Sequence, residues 1–74
     1  MSESDIQYLT EALTADLAEM LSKDFNMNIL ESLNTLYNSE TYLKFTNPAT
    51  GLYYQSPLYV YSYLKQEITT GKLA

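Results

Sequence analysis

The chain has 74 residues, a formal net charge of −5, ten aromatic residues of which eight are tyrosine, and no cysteine, histidine or arginine. This length fits one domain spanning 1–74, and its 46% hydrophobic fraction is that of a globular chain rather than a disordered one. The missing residue types exclude disulfides, thiolate chemistry and imidazole catalysis or ligation. No apolar run approaches the ~18 residues of a membrane span. Glu3 and Asp5 stand where a signal peptide would be basic, so a cytoplasmic protein is expected.

The first helix is predicted from about Asp5 to Ser22. Ser4 is placed to cap it, with Gln7 completing a capping box. Ile6, Leu9, Leu13, Leu17, Met20 and Leu21 recur at three- and four-residue steps and form one apolar stripe. Glu19 and Lys23 are spaced to pair on the polar side. The run Lys23-Asp24-Phe25-Asn26-Met27 interrupts the pattern. A second helix follows, capped by Asn28 with Glu31 three residues on, and Ile29, Leu30, Leu33, Leu36 and Tyr37 are read as its buried side. Ser39 is placed to cap a short third helix, from Glu40 to about Phe45, with Tyr42, Leu43 and Phe45 as candidate core residues.

Residues 47–51, Asn-Pro-Ala-Thr-Gly, read as a turn, and Leu52-Tyr53-Tyr54 as extended or irregular chain. Ser56-Pro57 is a strong helix start, and Gly71 ends a last helix running to about Thr69. Leu58, Tyr61, Leu64 or Lys65, and Ile68 form one stripe of that helix; Tyr59 and Tyr63 lie on another side. The fold class is therefore all-α, a compact domain of three to four helices with a Pro/Gly loop before the last.

Little in this pattern supports catalysis. Without histidine no triad can be assembled, and the carboxylates fall on a polar helix face, where solvated charge accounts for them. Asp24, Asn26 and Asn28 match the opening of a calcium loop, but Ile29 stands where the loop needs glycine and Thr35 where it needs glutamate. Gly51 and Gly71 are isolated, so no phosphate-binding loop can be written. The reading is of a protein that is not an enzyme, with no catalytic residue, metal or cofactor. The rival is a helix-turn-helix DNA-binding regulator, with Thr41, Lys44 and Asn47 directed at bases or phosphates; the absence of arginine and the surrounding acids disfavour nucleic acid.

Charge and tyrosine are both unevenly distributed. Residues 1–40 carry eight acids against Lys23 alone, whereas residues 41–74 carry Lys44, Lys65 and Lys72 against Glu67. Five tyrosines fall in residues 53–63. Tyr61 is expected in the core, leaving Tyr53, Tyr54, Tyr59 and Tyr63 as candidate partner-binding residues, because tyrosine offers large area at small entropy cost. The occupant expected is a protein partner or a second copy of the chain, with the acidic first helix aiding encounter.

Tyr37-Asn38-Ser39-Glu40-Thr41-Tyr42, then Thr50-Gly51-Leu52-Tyr53-Tyr54-Gln55-Ser56-Pro57 and Tyr59-Val60-Tyr61, give the chain a resemblance over roughly residues 9–68. It resembles a family of small uncharacterised bacterial helical proteins, a domain-of-unknown-function group. The resemblance implies a bacterial, cytosolic, all-helical protein acting as an antitoxin-like partner of a neighbouring gene product. No catalytic or binding residue carries over from it.

Overall fold

The computed structural model describes residues 3–71. They form four helices, α1 (Glu3–Phe25), α2 (Ile29–Tyr37), α3 (Glu40–Phe45) and α4 (Pro57–Thr70). Two 3-10 turns, Pro48–Thr50 and Leu52–Tyr54, join α3 to α4, and the described residues contain no strand. The domain is all-α, as the periodicity predicts.

In α1 the apolar stripe works as read: Leu13, Leu17 and Leu21 are buried with Ala18, while Ile6, Leu9 and Met20 are half-buried at its edge. Both ends differ from expectation. The helix already includes Glu3, so Ser4 lies inside the first turn rather than capping it, and Gln7 instead donates from Nε2 to Glu11 Oε1 at 3.2 Å. At the other end α1 continues to Phe25, whose ring packs against the core. Asn26 then stops it by adopting a left-handed φ of +53°. Glu19 and Lys23 pair at 2.9 Å on the solvent side, where such a pair contributes little.

The predicted capping box of α2 is present. Asn28 Oδ1 accepts from Glu31 N–H at 2.8 Å, and the Glu31 carboxylate accepts from Asn28 N–H at 3.4 Å. The buried side of α2 is the predicted one only at Leu33 and Leu36. Ser32 and Leu36 face the core, Leu33 is half-buried, and Ile29, Leu30 and Tyr37 are exposed. The reason is a small residue that apolar patterning overlooks. Ser32 satisfies its own hydroxyl on Asn28 O at 3.0 Å and can be buried at no polar cost. α2 packs on α1 with Ile29 and Leu30 left exposed.

Ser39 caps α3 as predicted, accepting from Tyr42 N–H at 3.0 Å while its own hydroxyl donates to Leu36 O at 2.6 Å. Phe45 is fully buried and Tyr42 half-buried; Leu43, expected in the core, is exposed, because the inward line of this short helix runs through Thr41 and Phe45. Tyr37, Tyr42 and Phe45 stack edge to face, with centroid separations of 5.1 and 5.2 Å.

Asn47 and Pro48 open the first 3-10 turn, and Gly51 closes it at φ +70°. Leu52–Tyr54 forms the second turn rather than extended chain, and this turn packs on α1. Ser56 and Pro57 then start α4, and Gly71 ends it in the left-handed region, as predicted. Val60, Tyr61 and Leu64 form its buried line, with Ile68 half-buried. Leu58, assigned to that stripe from spacing, is exposed. Two polar ties set the rotation of α4: Tyr61 Oη donates to Asp24 Oδ2 at 2.7 Å, and Glu67 reaches the start of α3. With both made, Val60 points inward and Leu58 outward.

Candidate interaction groove between α3 and α4

The four candidate tyrosines form two edge-to-face pairs on either side of the helix start at Ser56. Tyr53 and Tyr54 sit in the second 3-10 turn with centroids 5.2 Å apart. Tyr54 is 58% exposed and Tyr53 is half-buried. The Tyr54 ring folds back over Gly51, so that a Cβ on Gly51 would meet Tyr54 Oη at 3.0 Å. A side chain there would collide with that ring as well as strain the backbone.

Tyr59 and Tyr63 lie one turn apart on α4, 47% and 37% exposed. Their rings meet edge to face at 5.3 Å, and their hydroxyls share a hydrogen bond of 2.9 Å. That bond, reinforced by the neighbouring phenol's charge when ionised, raises the Tyr59 pKa above the ordinary phenol range. Ordering each ring against the other in the free protein lowers the entropy lost on contact with a partner.

Tyr63 also lines a cavity of about 370 Å³ with Thr41 and Lys44 of α3, Thr50 of the first 3-10 turn and Leu52 of the second. Thr41 Oγ1 donates to Glu67 Oε1 at 2.8 Å, and Thr50 Oγ1 donates to Lys44 O at 2.7 Å. Both hydroxyls are therefore committed, and Leu52, the Tyr63 ring and the threonine methyl groups leave the cavity mostly apolar. Among the described residues Lys44 supplies its only charged lining group.

Glu67 holds Thr41, one of the lining residues, from α4. Its Oε2 accepts from Glu40 N–H at 2.8 Å, and its Oε1 accepts from Thr41 N–H at 3.0 Å as well as from the Thr41 hydroxyl. One carboxylate from α4 thus caps the first turn of α3. Burial alone would raise the Glu67 pKa. The bonds from Glu40 and Thr41, with the nearby Lys44 charge, overcome burial and hold it below the usual carboxylate range.

On the other flank of α4, Tyr61 Oη donates to Asp24 and Lys65 Nζ lies 3.5 Å from the same oxygen. Burial first, and then the bond to Asp24, pushes the Tyr61 phenol far above its normal range. The Tyr61 bond, opposed by partial desolvation and aided by Lys65, holds Asp24 below its normal value. Tyr61 is a core residue, as the sequence predicts.

One sequence reading changes here. Thr41, one of three residues assigned to a DNA-reading face, is buried and engaged by Glu67, so it is withdrawn from that face. Lys44 and Asn47 remain exposed. Glu67 was legible only as the lone acid of residues 41–74, and Leu52 and Thr50 carried no mark of a cavity. Among the described residues no group of three or more acidic, histidine or cysteine side chains is arranged to hold a metal ion, and no helix is long and apolar enough to cross a membrane. Comparison with protein-family models, with curated proteins and with solved structures finds no match for this chain.

Proposed function

We propose that this chain is a non-catalytic protein-interaction module, an antitoxin-like or regulatory partner of a neighbouring bacterial gene product in the cytoplasm. It meets that partner with Tyr54, Tyr59 and Tyr63 beside the α3–α4 groove, and Tyr53 supports Tyr54 from behind. The observation that carries this reading is the Tyr59–Tyr63 pair, two large rings ordered against each other on the surface at the edge of an apolar cavity. Such rings are the residue type on which binding energy concentrates. The acidic face of α1, with Glu11, Asp16 and Glu19 exposed, adds long-range attraction for a basic partner surface.

The test is co-expression with the products of adjacent genes. Wild type should retain one neighbour through purification, and Tyr59→Ala plus Tyr63→Ala should lose it while keeping its helical circular dichroism. A neighbour that stays bound to the folded double variant, or no retained neighbour at all, refutes the reading. Light scattering of the isolated protein addresses the alternative occupant, a second copy.

A further inference from the structure

We infer that the α3–α4 groove takes an acidic, apolar segment of a partner protein, with one apolar side chain in the cavity and an adjacent carboxylate on Lys44. This rests on the interaction-module reading above and supplies the chemistry of what would occupy that surface.

A cavity of about 370 Å³ lies within the usual range for small binding pockets and holds a side chain of leucine or phenylalanine size. Its hydroxyls offer an incoming polar group little. Thr41 Oγ1 is held by Glu67, and Thr50 Oγ1 by the carbonyls of Lys44 and Asn47. The body of the occupant is therefore apolar.

The charge follows from which lysines are already paired. Lys23 pairs with Glu19 at 2.9 Å and Lys65 with Asp24 at 3.5 Å. Among the described residues Lys44 has no carboxylate within 4.0 Å. Glu67 contributes attraction to Lys44, but its oxygens already accept three hydrogen bonds from the start of α3. Among the described lysines, Lys44 is thus the one left for an external anion.

The same geometry disfavours other occupants. A basic segment would meet Lys44. A phosphate would look for free N–H groups at the start of α3, and those of Glu40 and Thr41 are already bonded to Glu67. A carboxylate needs only Lys44 and the outward-facing phenols.

The experiment uses the purified protein and three capped probe peptides, acetyl-Ala-Leu-Glu-Phe-Ala-amide and its versions with glutamine or lysine in place of glutamate, followed by amide NMR. The acidic peptide should shift the signals of Thr41, Lys44, Thr50, Leu52 and Tyr63 with a Kd on the order of millimolar, as expected for so small a ligand. The glutamine peptide should bind roughly three-fold or more weakly, and the lysine peptide more weakly still. Lys44→Gln, a solvent-side change, should abolish that preference while leaving the spectrum otherwise folded.

Absence of shifts up to about 10 mM peptide, shifts elsewhere on the surface, or a glutamate preference that survives Lys44→Gln each overturn the inference. So does phenylacetate binding more tightly than the acidic peptide, which would assign the cavity to a free small carboxylate. If the peptide arm fails while the double tyrosine variant still loses its neighbour, the acidic-segment inference falls and the module reading stands. If both fail, both fall.

Discussion

Replacing Glu67 with alanine removes the carboxylate that ties α4 to α3, and the structure sets the size of the loss. Three hydrogen bonds of 2.8, 3.0 and 2.8 Å disappear. A bond to a charged group is worth about 1.5–3 kcal/mol by itself, but three that share one carboxylate do not add. The Glu40 N–H is solvent-facing and regains water, whereas the Thr41 N–H and hydroxyl belong to a buried residue and are left without an acceptor. One buried orphan costs about 1–3 kcal/mol and loss of a helix N-cap about 1 kcal/mol. Ser39 still holds the Tyr42 N–H, which limits the damage. The expected destabilisation is therefore about 2–3 kcal/mol, or roughly 10–20 °C in Tm for a domain of this length. A core of this size supplies only ~3–5 kcal/mol, so the variant should lie near the edge of folding. Glu67→Gln keeps one acceptor oxygen and should lose about half as much.

Thermal and urea unfolding followed by circular dichroism measure these losses. The pH dependence supplies a second signature. Because the folded-state pKa of Glu67 lies below its unfolded value, its stabilisation is complete above the ordinary glutamate range and is lost as pH falls through the lowered folded value. Wild type should therefore lose stability on the acid side more steeply than Glu67→Gln. An alanine variant melting within about 3 °C of wild type, or identical acid limbs for wild type and Glu67→Gln, would refute the claim that this carboxylate holds α3 in place.

Tyr61→Phe should cost about 1 kcal/mol through loss of the bond to Asp24, measured by urea unfolding. Because the Tyr61 pKa is raised on folding, its contribution is complete below about pH 10 and is lost progressively as pH rises from there through the raised folded value, so the phenylalanine variant should show a shallower alkaline decline. Gly51→Ala should destabilise by about 1–2 kcal/mol, since φ is +70° and the new Cβ meets Tyr54 Oη at 3.0 Å. Gly71→Ala, with nothing within 4 Å, should cost less, and equal losses in thermal melts would remove Tyr54 from the account. Asn28→Ala should cost about 1 kcal/mol in the same assay by deleting the capping box of α2.

Helix starts were the most legible part of the sequence, because a cap is a local event. Asn28, Ser39 and Ser56 each accept the N–H three residues on, as their side-chain chemistry requires. Helix facing was less legible. Leu30, Leu43 and Leu58 were all assigned inward from spacing and are all exposed. In each helix the rotation is set by polar residues that satisfy themselves or reach across the fold: Ser32 on its own backbone, and Thr41 and Tyr61 on acids from another helix. Hydrophobic periodicity cannot see those bonds. Of the candidate site, the exposed tyrosines were readable from composition and spacing. The cavity was not, because its walls come from α3, both 3-10 turns and α4, which only the tertiary structure brings together.

The geometry of the hydroxyl bond between Tyr59 and Tyr63 allows either phenol to donate. Whichever phenol accepts keeps its own proton for an outside group, and whichever donates keeps unused lone pairs. Rotation of two C–O bonds exchanges these assignments without moving either ring. The pair can thus meet a carboxylate as a donor or an amide N–H as an acceptor from one rigid arrangement, which would give the proposed surface tolerance for sequence changes in a partner.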